Sequence, residues 1–334
     1  MTVHDITRPT VLLTGPTSGI GAGMLRHLLA HPSRPHLVLL ARNATALDAA
    51  LDQARAAGLS AHGVSVDLAD LASVQAALAE VRALIEAGTI APLDAALLNA
   101  GAQFTDRRRT GVQGHELTFT VNVIAQHLLV TGLEPVLAPT GHVVVMGSST
   151  HRGKNASFNL VPDPQWQTPA EMAEAQPPAD GPTRFAAERE QGGIAYATSK
   201  LALVTAAHVW AERLVASGRR LNTYDPGLVA GTGLCKDMPG YMYWVWKNLM
   251  PAMSVLPGAT TPRTSSRHAV ELALGDAHPG LHDGYIEIGR LTRAEPVTAD
   301  AQRQKQLVAW LDEAIAPYTS AASSEGASRT GNAG

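Results

Sequence analysis

Short apolar runs that alternate with helical stretches constrain this chain more than any other feature. The runs lie at residues 11–13, 36–40, 61–66, 93–98 and 141–146. Between them, helical patterns cover the segment through Leu25, Leu28 and Leu29, then residues 45–57, residues 72–85 and a long stretch over residues 112–137 ending near Pro139. A strand that is apolar on both faces must be covered on both faces, and the alternating helices supply the cover. Right-handed crossovers then give an α/β fold with a doubly wound parallel sheet. Such a sheet takes its ligands beyond the carboxyl ends of its strands, which directs attention to the turns that follow each apolar run.

The first of these turns is TGPTSGIG, residues 14–21. It leaves a strand and opens a helix, the context in which backbone N–H groups cradle a phosphate. Gly15 permits a tight turn, and Gly19 and Gly21 let backbone approach a pyrophosphate. Thr17, Ser18 and Ile20 fill the same turn. Arg42 follows the second strand in LLARN, where an acidic residue would bond the ribose of NAD. A guanidinium there suits the additional 2′-phosphate of NADP(H). Asp67 and Leu68 follow the third strand, and Asn99, Ala100 and Gly101 the fourth. Taken singly, these last two are ordinary strand-end turns.

Tyr196 and Lys200 stand four residues apart in AYATSK. On a helix that spacing puts both on one face. An ammonium beside a phenol favours the phenolate, so such a tyrosine can exchange a proton with a substrate oxygen near neutral pH.

Composition narrows the alternatives. The net charge of −3 gives no reason to expect a nucleic-acid partner. The basic run Arg107, Arg108 and Arg109 reads as a solvated loop. Cys235 is the only cysteine, which excludes an intrachain disulfide and a thiolate metal cluster and suits a reducing, cytoplasmic location. The N-terminus lacks a signal-peptide pattern, and no apolar run reaches the roughly 18 residues of a membrane span. His142, His151 and His208 have no metal-ligand spacing, so no metal is expected.

The ordered set TGPTSGIG, Asp67-Leu68, LNAG, HELTFTVNVIAQHLL, VVVMGSS, YATSK and DPG resembles the short-chain dehydrogenase/reductase family, in its non-extended branch, over about residues 10–235. The resemblance implies a catalytic set of Asn122, Ser148, Tyr196 and Lys200, with Ser149 as the alternative to Ser148. Asn122 would hold a relay water and Ser148 would hydrogen-bond the substrate oxygen. Tyr196 would donate the proton, and Lys200 would tune it and bind the nicotinamide ribose. Pro226, Gly227 and Thr232 would flank the nicotinamide. The expected activity is interconversion of a ketone or aldehyde and an alcohol on a bulky apolar small-molecule substrate. Two alternatives remain: a carbon–carbon double-bond reductase, and a non-catalytic NADP(H)-sensing protein. The position of Cys235, after the tyrosine, weighs against the first, and the intact catalytic set against the second.

The chain is expected to form one Rossmann-type domain over residues 1–318, followed by a disordered tail, residues 319–334. Within it, residues 152–192 read as an insertion and residues 231–262 as a lid region. The insertion resembles that of monomeric carbonyl reductases and, more loosely, of retinol dehydrogenases and protochlorophyllide reductases. It puts the family's usual tetramer in doubt and favours a monomer or homodimer. The aromatic segment YMYWVWKNLMPAM, residues 241–253, is either a lid packed on the core or an apolar wall for the substrate. Peripheral membrane contact is a lesser alternative, with only Lys247 supplying basic charge.

Overall fold

The computed structural model describes residues 8–181, 183–229 and 259–319. Its core is an eight-stranded sheet. The strands are β1 (Thr10–Thr14), β2 (His36–Ala41), β3 (Ala61–Ser65), β4 (Leu93–Leu98), β5 (Leu137–Met146), β6 (Arg220–Asp225), β9 (Tyr285–Glu287) and β10 (Arg290–Thr292), in the spatial order β10-β9-β6-β5-β4-β1-β2-β3. All neighbours are parallel except β10, which folds back antiparallel on β9. A separate small pair joins β7 (Leu228–Val229) to β8 (Ala259–Thr260). The predicted doubly wound sheet is therefore present.

The two apolar faces of the strands separate into two cores. On one side α1 (Gly19–Leu29), α2 (Ala44–Ala56) and α8 (Pro262–Leu274) pack Met24, Leu28, Leu47 and Val270 against Val11, Leu13, Leu37 and Leu39. On the other lie α3 (Leu71–Glu86), α5 (Ala125–Leu133), α7 (Arg184–Val215) and α9 (Ala301–Thr319). Their Val74, Leu129, Trp210 and Leu311 pack against Leu12, Val38, Val143 and Val145. Side chains on a strand alternate between faces, so neighbouring residues such as Leu12 and Leu13 serve opposite cores. Both are fully buried. Burying a Leu side chain contributes about 2 kcal/mol, and a strand buried on both faces gains this at every position.

Trp210 also anchors a buried polar link. Its Nε1–H donates to His127 Nδ1 at 2.8 Å, and His127 Nε2 meets Asp312 at 2.8 Å. Burial holds the His127 pKa down to about 4. The imidazole is therefore neutral at pH 7, and the contact to Asp312 is an Nε2–H hydrogen bond, not an ion pair.

Three expectations need correction. The helix expected over residues 112–137 begins only at α4 (Leu117–Phe119), where the Glu116 carboxylate caps Thr118 N and Phe119 N. It passes through a π-helical turn, Thr120–Ile124, continues as α5 and stops at Pro135, which cannot donate to a further turn. Next, the segment 152–192, read as an insertion with little periodicity, is not irregular throughout. It contains two short 3₁₀ turns and a one-turn helix, α6 (Pro169–Met172), and its last residues belong to α7. Finally, the 107–109 loop is not simply solvated. Arg107 Nη2 donates to Glu171 O at 2.6 Å, Arg108 lies 3.6 Å from both Asp106 and Glu188, and Arg109 lies 3.3 Å from Asp106.

Thr319, the first residue of the expected tail, is the last residue of α9. Thr232, Cys235, the aromatic segment and residues 320–334 of the expected tail lie outside the described residues, as does most of the expected lid. Its final residues form β8 and the approach to α8. Among the described residues no helix is long and apolar enough to cross a membrane.

Candidate active site

The strand register builds the site. Leu13 of β1 pairs with Leu39 of β2 and with Leu97 of β4, and Leu98 with Val145 of β5. The turns that follow these strands therefore lie side by side at one end of the sheet. They line a crevice of roughly 1930 Å³ that also admits residues of α7 and of the 152–192 segment. Drug-sized pockets occupy about 300–1,000 Å³, so this crevice has room for two ligands.

Residues 15 and 17–21 form one wall. Gly15 and Gly19 have φ of 67° and 55°, a region that glycine enters without penalty. A Cβ on Gly21 would stand 1.9 Å from Gly15 O and 2.6 Å from Asn99 Nδ2. Asn99 does not face the crevice as a free amide; it donates to Thr14 O at 3.0 Å and to Gly15 O at 3.3 Å. Ala100 N donates to Thr14 Oγ1 at 2.9 Å, tying the two turns together. Ser18 precedes α1 without capping it by its side chain, and Gly19, Ile20 and Gly21 at the opening of that helix line the crevice. Anion binding at such a terminus is favourable.

Arg42, Asp67 and Leu68 line the same end, and Arg42 Nη1 lies 3.7 Å from Asp67 Oδ1. Both partners are substantially exposed, and pairs of this kind contribute about 0–1 kcal/mol, so an incoming phosphate can take the guanidinium. Gly101 also lines the crevice; a Cβ there would lie 3.1 Å from Asn122 Oδ1 and 3.8 Å from Lys200 Nζ. Glycines where a Cβ would intrude, an uncapped helix terminus and a guanidinium at the outer edge fit an elongated diphosphate-bearing ligand.

The other half of the crevice carries Ser148, Ser149, Tyr196, Lys200, Pro226 and Gly227. Tyr196 and Lys200 both project from α7, and Lys200 Nζ stands 5.8 Å from the centre of the Tyr196 ring. Lys200 Nζ donates to Met146 O at 2.8 Å, which pins the amine to the end of β5. Burial lowers its pKa to about 8 against the opposing attraction of Asp225, so the amine is still largely charged at pH 7. Ser148 Oγ accepts from Thr150 Oγ1 at 3.0 Å and from Thr150 N at 3.4 Å. With two donors directed at it, this hydroxyl presents its own hydrogen as a donor.

Asn122 does not line the crevice. It is buried in the π-helical turn, where its Nδ2 donates to Ala102 O at 2.8 Å and to Ser199 Oγ at 3.0 Å, while its Oδ1 accepts from Ala102 N at 2.9 Å. Its side chain clamps the loop after β4 to the helix that carries Tyr196. The remainder of the lining was not anticipated. Phe104, Phe158, Leu160, Val161, Pro162, Ile194 and Leu228 give an apolar flank, with Arg109, Lys154, Arg189 and Glu190 among the polar lining residues. A run of Phe, Leu, Val and Pro in residues 158–162 was the available signal, obscured by the irregular composition around it.

Residues 9–160 match the family model described as short chain dehydrogenase. A short-chain dehydrogenase/reductase of Armillaria gallica is 25% identical over 325 residues, covering 94% of this chain and 92% of its own length. By these matches, the family model covering a little under half of it, the chain is similar to the short-chain dehydrogenases/reductases. Among individual proteins, it is similar to the WW domain-containing oxidoreductase of Drosophila melanogaster, at 25% identity over 91% of this chain and 67% of that protein. Among solved structures it resembles an NADPH-bound carbonyl reductase from chicken fatty liver, with a TM-score of 0.58 and 18% identity over 86% of this chain and all (100%) of that one. A blue fluorescent protein from a metagenomic library, in complex with NADPH, gives a TM-score of 0.59 at 20% identity over 85% and 97% of the two chains.

Proposed function

We propose that this chain is an NADP(H)-dependent oxidoreductase that interconverts a carbonyl group and an alcohol on an apolar small molecule. The observation that carries the reading is the presence in one crevice of the glycine turn, Arg42, Ser148, Tyr196 and Lys200. The opening N–H groups of α1 bind the diphosphate and Arg42 the 2′-phosphate. Pro226 and Gly227 flank the nicotinamide end. Solved structures of similar fold that hold NADPH support this choice of cofactor.

When bound, a nicotinamide would supply or take up the hydride. Tyr196 Oη gives its proton to the carbonyl oxygen in reduction and takes it from the hydroxyl in oxidation. The Lys200 ammonium, pinned by Met146 O, stabilises the phenolate that Tyr196 becomes. Ser148 donates a hydrogen bond to the same oxygen, where negative charge develops. Asn122 holds the loop after β4 against α7 and so acts through position. The apolar flank from Phe104, Phe158, Leu160 and Ile194 favours a substrate with a sizeable hydrocarbon portion.

Tyr196→Phe tests the reading. With NADPH and a panel of apolar ketones and aldehydes, turnover drops by about 10²-fold or more, the contribution of a positioned acid. NADPH binding, followed by fluorescence, stays within about twofold, because the lost hydroxyl is one contact among many. A variant that turns over as fast as the wild type refutes the assignment.

A further inference from the structure

Behind Lys200 lies a buried polar chain that the proposed mechanism does not use. Asp225 closes β6 and is almost completely buried. Its Oδ2 accepts from Tyr285 Oη at 2.6 Å, and its Oδ1 accepts from Gly227 N at 2.8 Å. Tyr285 Oη also meets His151 Nδ1 at 3.3 Å, and His151 Nδ1 lies 2.6 Å from Ser148 O. One carboxylate thus holds the turn beside the expected nicotinamide end and, through two rings, the strand end that presents Ser148. Met146, whose carbonyl receives Lys200 Nζ, pairs with Tyr224, the residue before Asp225. Gly147 N donates to Tyr224 O at 2.8 Å, which keeps the two strand ends together beneath the amine. Gly147 has room for nothing larger, since a Cβ would lie 3.2 Å from the Tyr285 ring and 2.7 Å from Thr223.

We infer that Asp225 is a positioning residue: the buried counter-charge of Lys200, and the anchor that joins the Pro226–Gly227 turn to the Ser148 strand end. The inference rests on the reading of Tyr196 and Lys200 as the proton-handling pair. The other charged or titratable groups facing Asp225 are Tyr285 and Glu287 on β9, and Arg152 and His151 after β5. Arg152 bonds Glu287 at 2.7 Å and covers the Tyr285 ring at 4.9 Å, so those two charges largely answer each other. Lys200 faces Tyr196 on its own helix, and the carbonyl that anchors it belongs to Met146, paired with Tyr224 next to Asp225. Burial raises the Asp225 pKa to about 6, which leaves it ionised at pH 7 while Lys200, near 8, is protonated. The two opposite charges coexist over that interval.

The test is the titration of Lys200 itself, in the full chain without cofactor. Protein carrying lysine labelled with carbon-13 at Cε is followed by NMR against pH, with Lys200→Arg assigning the signal. In Asp225→Asn, which removes the charge and keeps an acceptor for Gly227 N, the Lys200 midpoint falls by about one pH unit or more. Asp225→Glu keeps it near the wild-type value. Where turnover is measurable, the alkaline limb of kcat/KM moves down with it: roughly fivefold lost at pH 8, little at pH 6. A purely structural role would lower activity uniformly across pH. An unchanged Lys200 midpoint in Asp225→Asn overturns the inference, whether or not the protein turns over any substrate. If Asp225→Asn fails to fold, the wild-type signal decides. A second inflection near pH 6, from Asp225, supports the pairing, and a single inflection overturns it.

Discussion

Gly21→Ala isolates the packing on which the phosphate turn depends. The added Cβ would sit 1.9 Å from Gly15 O and 2.6 Å from Asn99 Nδ2. Carbon–oxygen contacts settle near 3.3 Å, so α1 and the turn must separate by about 1.4 Å. Overpacking of this kind costs about 1–3 kcal/mol, and here the obstructing atom is backbone, which yields little. Displacing Asn99 also weakens its two hydrogen bonds to Thr14 O and Gly15 O, at about 1 kcal/mol for each. The sum is about 3–5 kcal/mol. In a chain of 334 residues this lowers the melting temperature by roughly 4–7 °C. Gly88→Ala is the control. It has a positive φ of 66°, which Gly21 lacks, and nothing within 4 Å of a new Cβ, so only backbone strain of about 1 kcal/mol remains, or roughly 1–2 °C. Thermal unfolding of the three proteins, with NADPH fluorescence titrations, makes the comparison. Gly21→Ala is expected to lose NADPH affinity by at least about tenfold, and Gly88→Ala to keep it. Equal melting temperatures for the two variants, or undiminished NADPH binding by Gly21→Ala, would refute the reasoning.

Two further outcomes follow from named groups. Arg42→Ala weakens NADPH by about tenfold and leaves NADH within about twofold, the low end for a charge-assisted contact because the guanidinium is exposed; equal losses for both nucleotides, read by fluorescence titration, would remove the basis for NADP(H) preference. Stability falls on acidification. His127, His142 and His151 are all held near 4 by burial, below the 6.5 of an unfolded imidazole, so the unfolded chain binds the extra protons as pH drops through that window. Each loses about 2 kcal/mol of its contribution between pH 7 and pH 5. Asp225 works in the opposite sense, because its raised pKa favours the folded state as pH falls from 6 towards 4. It offsets about 1 kcal/mol of the total. Urea denaturation at pH 7 and pH 5 checks the sign; equal or greater stability at pH 5 would show that the histidines are not buried neutral.

The sheet was legible because each strand announces itself on both faces. The apolar runs of β1, β2 and β4 lie within a residue of their observed limits, and the turns that follow them were the places to look for chemistry. The Tyr196–Lys200 spacing was equally readable, since helical geometry alone puts the pair on one face. Other features depended on contacts that a local pattern does not record. The sequence reading carried the irregular segment as far as residue 192, whereas α7 already begins at Arg184. In the fold a Cβ on Gly192 would lie 2.5 Å from Phe104 O, and one on Gly193 would lie 2.5 Å from Pro162. The glycines are there to let the loop after β4 and the 152–192 segment press against α7. The side-chain partners of Asn122 come from Ala102 and Ser199, which no spacing rule would link. The chain from Asp225 through Tyr285 to His151 joins residues far apart in sequence, so a single read of the sequence had no means of grouping them.

The length of α7 has a consequence for the molecules this crevice can accommodate. Ala186, Arg189, Glu190, Gly193, Ile194, Tyr196 and Lys200 border the cavity from one continuous rod. At 1.5 Å per residue, roughly 15 Å separate Ala186 near the rim from the phenol. A ligand lying along that stripe is measured against a ruler with graduations in helical turns, and the reacting carbon falls at a set mark from whichever group catches at the rim.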